Sequence, residues 1–260
     1  MDIIRSKDNS HVKEAKKLKE KKYRVQRKEF MIEGFRFVKE AINSDFEISE
    51  IFLSHIFINR EESFFLEESL QVKCPIYFVT DEILRSISGT ENPQGIIALV
   101  KNKELNVKDE EGFYILADKI QDPGNMGTII RSAHASGALG IITTKGTVDV
   151  YNEKTLRSTM GSIFYIPVIE DEDLQKVKFL KQTGFKLISS SLRSDINFYN
   201  INLRGKIIIA VGNEGSGLGE DVREIADMEV SIPMPGKAES LNAAVAASIM
   251  MFEIVRQKLS

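Results

Sequence analysis

From Phe113 onward the chain alternates short, Ile- and Val-rich apolar runs with longer helix-like stretches, and this alternation limits its fold more than any other feature. Five runs stand out: "FYILAD" (113–118), "GIITT" (140–144), "KLISSS" (186–191), "KIIIAVG" (206–212) and "MEVSIPM" (228–234). Runs that are apolar at nearly every position suit parallel strands covered on both faces, whereas half-exposed strands would alternate with polar residues. The closing stretch "ESLNAAVAASIMMFEIVRQK" reads as a helix with Ala and Ser at many close-packing positions. The pattern predicts an α/β fold, a doubly wound sheet whose ligand site lies at the carboxyl ends of its strands.

The first third predicts a smaller α/β unit. A basic helix leads into "EFMIEGFRFVKEAI", a strand followed by an amphipathic helix. "EISEIFLS", "PIYFVT" and "QGIIALV" (94–100) read as strands, "EESFFLEESL" and "DEILRSIS" as helices, the latter capped by Asp81. The polar segment "KNKELNVKDEEG" (101–112) reads as a linker, which sets domains of 1–103 and 112–260.

Charge and composition exclude several classes. No run of 18 apolar residues exists, and the start "MDIIRSKDNSHVKE" lacks a secretory pattern, so the expected location is the cytoplasm. One cysteine, Cys74, and three scattered histidines argue against a disulfide framework or a Cys/His metal site, which leaves metal-free chemistry or a metal held by carboxylates. The net charge is only −3, yet residues 11–28 hold nine Lys or Arg against two Glu. Such a run is either a footprint for phosphate or a solvated helix face, and charge alone does not separate the two.

Three loops that follow predicted strands are candidates for chemistry. The first, "DPGNMGTIIR", sets Asn125 and Arg131 six residues apart with Gly127 between them. The second, "VGNEGSGLGED", has glycines at 212, 215, 217 and 219, a spacing that fits neither the G-x-G-x-x-G dinucleotide fingerprint nor a phosphate-binding P-loop. An oxidoreductase reading is disfavoured accordingly. The third, "IPMPGKAESLN", is stiffened by Pro233 and Pro235. It places Ser240 where an N-cap is expected and Asn242 in the first turn of the closing helix.

Taken together, the loops resemble the three motifs of the SpoU (TrmH-type) branch of the SPOUT RNA methyltransferases. "DPGNMGTIIRSAHASGA" matches the first motif, "IIIAVGNEGSGL" the second and "IPMPGKAESLNAAVAASIMMFE" the third, in order and at the usual separations. "GTVDVYNEKTLRSTMGSIFYIPV" (146–168) is similar to the segment after the first motif. The N-terminal third is similar, more loosely, to a ribosomal-protein-like substrate domain, which favours the phosphate-footprint reading of the basic run and a ribosomal RNA substrate.

The resemblance implies methyl transfer from S-adenosylmethionine to a ribose 2′-hydroxyl of RNA, a homodimer, and an α/β knot, a deep trefoil threaded by the C-terminal segment. It places cofactor contacts near Ser190, Gly212, Ile232 and Leu241, and no metal. Catalytic roles fall to Arg131, Asn125, Glu214, Ser240 and Asn242. The family's description of the arginine as a general base conflicts with a guanidinium pKa above about 12 and its lack of an acceptor while charged. An electrostatic role for Arg131 is the more economical, with Glu214 either holding it in a bidentate pair or accepting a proton itself. Asn125, Ser240 and Asn242 are then orienting groups, and His134 a surface or interface residue. The alternatives are the same chemistry on transfer RNA, or an RNA-binding module without catalysis.

Overall fold

The computed structural model describes residues 3–54, 57, 74–236 and 238–260. It divides into two compact units, Met1–Lys103 with Tyr151–Phe164, and Glu104–Val150 with Tyr165–Ser260. Among the described residues no helix is long and apolar enough to cross a membrane.

The first unit holds α1 (Ser10–Lys17), α2 (Lys21–Arg27), β1 (Glu29–Glu33), α3 (Phe35–Ile42), β2 (Ile48–Leu53), β3 (Ile76–Phe78), α4 (Asp81–Ile87) and β4 (Ile96–Lys101). Its sheet runs β1-β4-β2-β3, with β4 antiparallel to both neighbours and β2 parallel to β3. The helix expected over 61–70 lies outside the described residues.

Two local features of this unit depart from expectation. The basic run forms two short helices rather than one, because the chain turns at Leu18 and α2 ends on Lys28 in the left-handed region. Val12, Ala15 and Leu18 face the core, at helical spacing, and push the lysines outward. The cap of α4 is Thr80, whose side chain accepts the Ile83 N–H, and Asp81 is the first helical residue.

Residues 151–164 also belong to the first unit, although they are distant in sequence from the rest of it. They carry the helix Glu153–Thr159, α6 in chain order, capped by the Asn152 side chain on the Thr155 N–H. Aromatic packing anchors the segment. Phe30 stacks on Tyr151 at 4.6 Å between ring centroids, and Phe164 lies against Phe37 and Phe46 at 5.4 and 5.2 Å.

The second unit is built on β5 (Phe113–Ala117), β6 (Gly140–Thr143), β7 (Val168–Glu170), β8 (Lys186–Ser190), β9 (Ile207–Val211) and β10 (Met228–Val230). All neighbours pair in parallel, in the order β10-β8-β9-β5-β6-β7. The five expected strands are present and a sixth, β7, joins them; three residues after a proline carry too little periodicity to be read from sequence. Every residue of β5 and β9 is buried, as a strand covered on both faces requires. One face is covered by α7 (Gln175–Gln182), through Val177 and Leu180, and by α8 (Glu220–Glu224), through Val222. Elsewhere α5 (Pro123–Ala135) packs with the closing helix α9 (Ala243–Leu259), where the Ser132 and Ser248 hydroxyls meet at 2.8 Å.

This order fixes where a ligand can sit. From β5 the chain moves through α5 to β6, and from β9 it moves the other way, through α8 to β10. The carboxyl ends of β5 and β9 therefore flank the switch point, where open parallel sheets leave a crevice.

Candidate active site

All three candidate loops rise from the carboxyl side of this sheet or enter the helix packed beside it. At the first, Asp122 caps α5 by accepting the Asn125 N–H at 2.8 Å, and Pro123 occupies the first helical position, where no donor is missed. Asn125 is thereby held in the first turn. Arg131 lies six residues on, about 120° around the helix axis from Asn125, and its side chain is exposed.

The second loop is closed by paired backbone hydrogen bonds between Asn213 and Gly217, at 3.0 and 2.9 Å. The Asn213 Oδ1 accepts the Gly215 and Ser216 N–H groups, and its Nδ2 donates to the Lys119 carbonyl at 3.1 Å. A side chain at 212 is impossible in this geometry, since a Cβ would lie 2.3 Å from the Gly217 carbonyl carbon. Glu214 stands exposed on the turn.

At the third loop the N-cap of α9 is Asn242, not Ser240. The Asn242 Oδ1 accepts the Ala244 and Val245 N–H groups, which fixes the orientation of the amide. Ser240 stands exposed two residues earlier. Sequence cannot separate the two, because both residue types cap well.

One chain of side-chain hydrogen bonds joins the three loops. Asn242 Nδ2 donates to Asn125 Oδ1 at 2.9 Å, and Asn125 Nδ2 donates to Glu214 Oε1 at 2.6 Å. Direction is set throughout: the cap commits the Asn242 oxygen, so its nitrogen donates, so Asn125 accepts there and donates onward. Glu214 is the terminal acceptor, and its Oε2 stands outside the relay. The bidentate pair expected as one option between Glu214 and Arg131 does not form; the carboxylate is held by Asn125 instead.

The residues expected at the cofactor divide by strand. Ser190 ends β8, Gly212 follows β9 and Ile232 follows β10, so all three sit at the carboxyl ends of neighbouring strands, where Val230 is paired with Ser190. Leu241 precedes the cap of α9 and is half-buried. Among the described residues no backbone–backbone hydrogen bond forms between 232 and 241, so the peptide groups of this loop are open to a ligand. Half-buried Ile232, Met234 and Leu241 beside open peptide groups suit an adenosyl group, which needs an apolar slot edged by backbone donors and acceptors.

Asp118 escapes the sequence reading. It is 1% exposed, and its carboxylate accepts the Gly219 N–H and the Thr144 hydroxyl, each at 2.6 Å. It thus ties the ends of β5, β6 and the second loop together. The only signal in the sequence is an acidic residue closing an otherwise apolar strand.

Fold and site together define a class: a parallel α/β domain with a polar relay at its switch point and an open-peptide loop beside it, in a chain whose other unit carries a basic helical pair. Residues 112–252 match the model of the SpoU rRNA Methylase family, and residues 9–98 match the MRM3-like substrate binding domain. The chain belongs to the SpoU family. It is 34% identical over 254 residues to the 23S rRNA (guanosine(2553)-2′-O)-methyltransferase RlmP of Bacillus subtilis, covering 98% of this chain and 99% of that one. An AdoMet-bound rRNA methyltransferase of Sinorhizobium meliloti superposes with a TM-score of 0.89 at 28% identity, over 100% of this chain and 99% of its own. The SpoU methyltransferase AviRb of Streptomyces viridochromogenes, solved with AdoMet, gives a TM-score of 0.88 at 28% identity, over 97% and 99%.

The relay makes a directional prediction. Asn125→Asp replaces the donor facing Glu214 with a second carboxylate and so sets like charges against each other. Methyl transfer by this variant is expected to fall by about 10²-fold or more, as when a reacting group is displaced by roughly 1 Å. Activity near that of the unaltered protein would show that the orientation of Asn125 is irrelevant.

Proposed function

We propose that this chain is an S-adenosylmethionine-dependent RNA methyltransferase that modifies a ribose 2′-hydroxyl in ribosomal RNA. The observation that carries the reading is the Asn242–Asn125–Glu214 relay, which brings the three motif loops into one polar site beside the open-peptide loop. The relatives named for 23S ribosomal RNA or bound to AdoMet support the substrate and cofactor.

S-adenosylmethionine, when bound, supplies an electrophilic methyl group. The chain's residues must align and unmask the hydroxyl. Glu214 Oε2 is the acceptor available to that hydroxyl, because Oε1 is committed to Asn125. Asn125 and Asn242 hold the carboxylate in place as positioning residues. Arg131 binds the neighbouring phosphate and offsets charge developing on the oxygen, a role suited to a permanently charged, planar donor. Ser240 meets the RNA at the loop's exposed tip. Ser190, Gly212, Ile232 and Leu241 line the cofactor slot, largely through their backbone.

Arg131 forms no ion pair among the described residues, and a homodimer accounts for this by letting it serve a composite site. On α9, Val245 and Phe252 are 47% and 48% exposed and lie one heptad apart on one face. Burying such a face against a second copy is favourable at roughly 25 cal/mol per Å² of apolar surface. The return of the chain from the β10 edge to α9, packed on α5, supports a trefoil knot in this domain. Residues 1–103 bind RNA and residues 112–260 carry out transfer, in the cytoplasm where this substrate is found.

The basic run is the phosphate footprint, in a refined form. Lys13 pairs with Asp8, Lys17 with Glu14, and Lys19 donates to the Ser86 and Ser88 carbonyls. Lys16, Lys21 and Lys22 are the cations that reach for RNA.

Methyl transfer from labelled cofactor to purified ribosomal and transfer RNA tests the function directly. Ribosomal RNA should be labelled, and the product should resist alkali at the modified linkage, since the 2′-hydroxyl is blocked; label on transfer RNA alone would replace the substrate. Arg131→Ala should lower transfer by about 10²–10³-fold with cofactor affinity unchanged, and Arg131→Lys should fare little better. Weakened cofactor binding would instead mark Arg131 as structural. Changing Lys16, Lys21 and Lys22 to Gln should weaken RNA binding and reduce the magnitude of its log–log salt slope by roughly 0.7–0.9 for each phosphate no longer neutralised. An unaltered slope would return these lysines to the solvated surface.

A further inference from the structure

A second cleft opens on the other side of the switch point, at the carboxyl ends of β5, β6 and β7. It encloses about 350 Å³ and is lined by Asp118, Lys119, Thr144, Lys145, Glu172 and Asp221 among others. This lies near the lower end of the range for small-molecule sites, room for one nucleotide and not for a duplex.

Its charges are ordered by the sheet. Lys119 and Lys145 follow the adjacent strands β5 and β6, while Asp221 on α8 and Glu172 beyond β7 stand at the two flanks. None of these four side chains forms an ion pair among the described residues. The buried Asp118 carboxylate is committed to the Gly219 N–H and the Thr144 hydroxyl. That leaves the Lys119 and Lys145 ammonium groups, from adjacent strand ends, to suit a phosphate, and the Glu172 and Asp221 carboxylates to suit the amino and imino donors of a base.

Lys119 is also held in a costly conformation. Its φ is +54°, in the left-handed region that a residue with a Cβ seldom occupies. Both its peptide groups are tied down by side chains: the N–H donates to Thr144 Oγ1 at 3.2 Å and the carbonyl accepts from Asn213 Nδ2 at 3.1 Å. Asp118 in turn anchors Thr144. A Cβ placed on Gly219 would lie 2.7 Å from the Lys119 Nζ, which puts the ammonium against the second motif loop. Strain that persists because its surroundings over-determine it points to a side chain whose direction matters. Asn213 precedes Glu214, so the loop that fixes Lys119 is the loop that presents the proposed proton acceptor.

We infer that this cleft is a subsite for a single unpaired nucleotide of the substrate RNA, next to the one that is methylated. Lys119 and Lys145 hold its phosphate, and Glu172 and Asp221 meet its base. The inference rests on the RNA methyltransferase reading and extends it to substrate selection.

Lys119→Gly is the apt variant, because glycine accepts the left-handed backbone while the ammonium is lost. It is combined with Lys145→Ala in the full-length chain. The double variant should show a KM for ribosomal RNA raised by about tenfold, with kcat at saturating RNA within about twofold and a salt slope reduced in magnitude by roughly one. Cofactor affinity should be unchanged. Binding of single-stranded eight-nucleotide RNAs of A, C, G or U supplies a readout independent of catalysis. The double variant should bind them more weakly, and Glu172→Gln with Asp221→Asn should alter the ranking of the four. Unchanged KM, slope and oligonucleotide binding would overturn the subsite, as would weakened cofactor binding, which would make Lys119 and Lys145 structural. Failure of the unaltered protein to methylate any RNA would sink the enzymatic reading, while its oligonucleotide binding would still decide the cleft.

Discussion

The amide of Asn125 is the contact on which the site depends. It receives one hydrogen bond from the third loop and gives one to the second, and among the described residues no other side chain spans all three. A side-chain amide accepts and donates at once, with fixed direction in a single plane and without carrying charge. Because Asn242 is committed as a helix cap, its own direction is not free either. The beginning of α9 thus sets the orientation of a carboxylate that lies 28 residues earlier in the chain, on the turn after β9.

Support for this relay comes from below it. Asp118 closes β5 and binds the Gly219 N–H and Thr144, so the ends of three elements share one buried carboxylate. Asn213 then fastens the second loop to the Lys119 carbonyl. A relay made of exposed or half-exposed amides would be loose if the turns carrying them moved. Here the first two turns are closed by their own internal bonds and Asn242 is fixed as the cap of α9 before the relay joins them, so the relay residues have little left to order when a ligand arrives.

Much of this is legible in the sequence, for definite reasons. β5, β6 and β9 are readable because strands buried at every position are continuous in Ile, Val, Leu and Ala, whereas β8 and β10, with exposed Lys186, Met228 and Glu229, are readable only from a short apolar stretch next to a polar loop. The motif loops are readable because Asn125, Gly212, Glu214 and Asn242 fall in order at family spacing. Capping is less legible: Thr80 against Asp81, and Asn242 against Ser240, are decided by where the first turn starts, and neighbouring residues compete for that within fractions of the cap's energy. The split of the basic helix at Leu18 depends on packing that lysine periodicity does not encode. Asp118 is hidden because a single acid after an apolar run looks like the start of a loop. The partner of Glu214 is obscured for a related reason. Charge favours an arginine, but Arg131 points about 120° away from the face that Asn125 occupies.

If the three loops act as one unit through Asn125, then the contributions of Asn125 and Glu214 to catalysis cannot be independent. A double-mutant cycle on kcat/KM for methyl transfer, using Asn125→Ala and Glu214→Gln, measures this most directly. The relay predicts a coupling of about 1 kcal/mol or more, within the range for residues in one hydrogen-bonded network. Effects that add to within roughly 0.3–0.5 kcal/mol would contradict it, and would leave Asn125 and Glu214 as neighbours without a shared task.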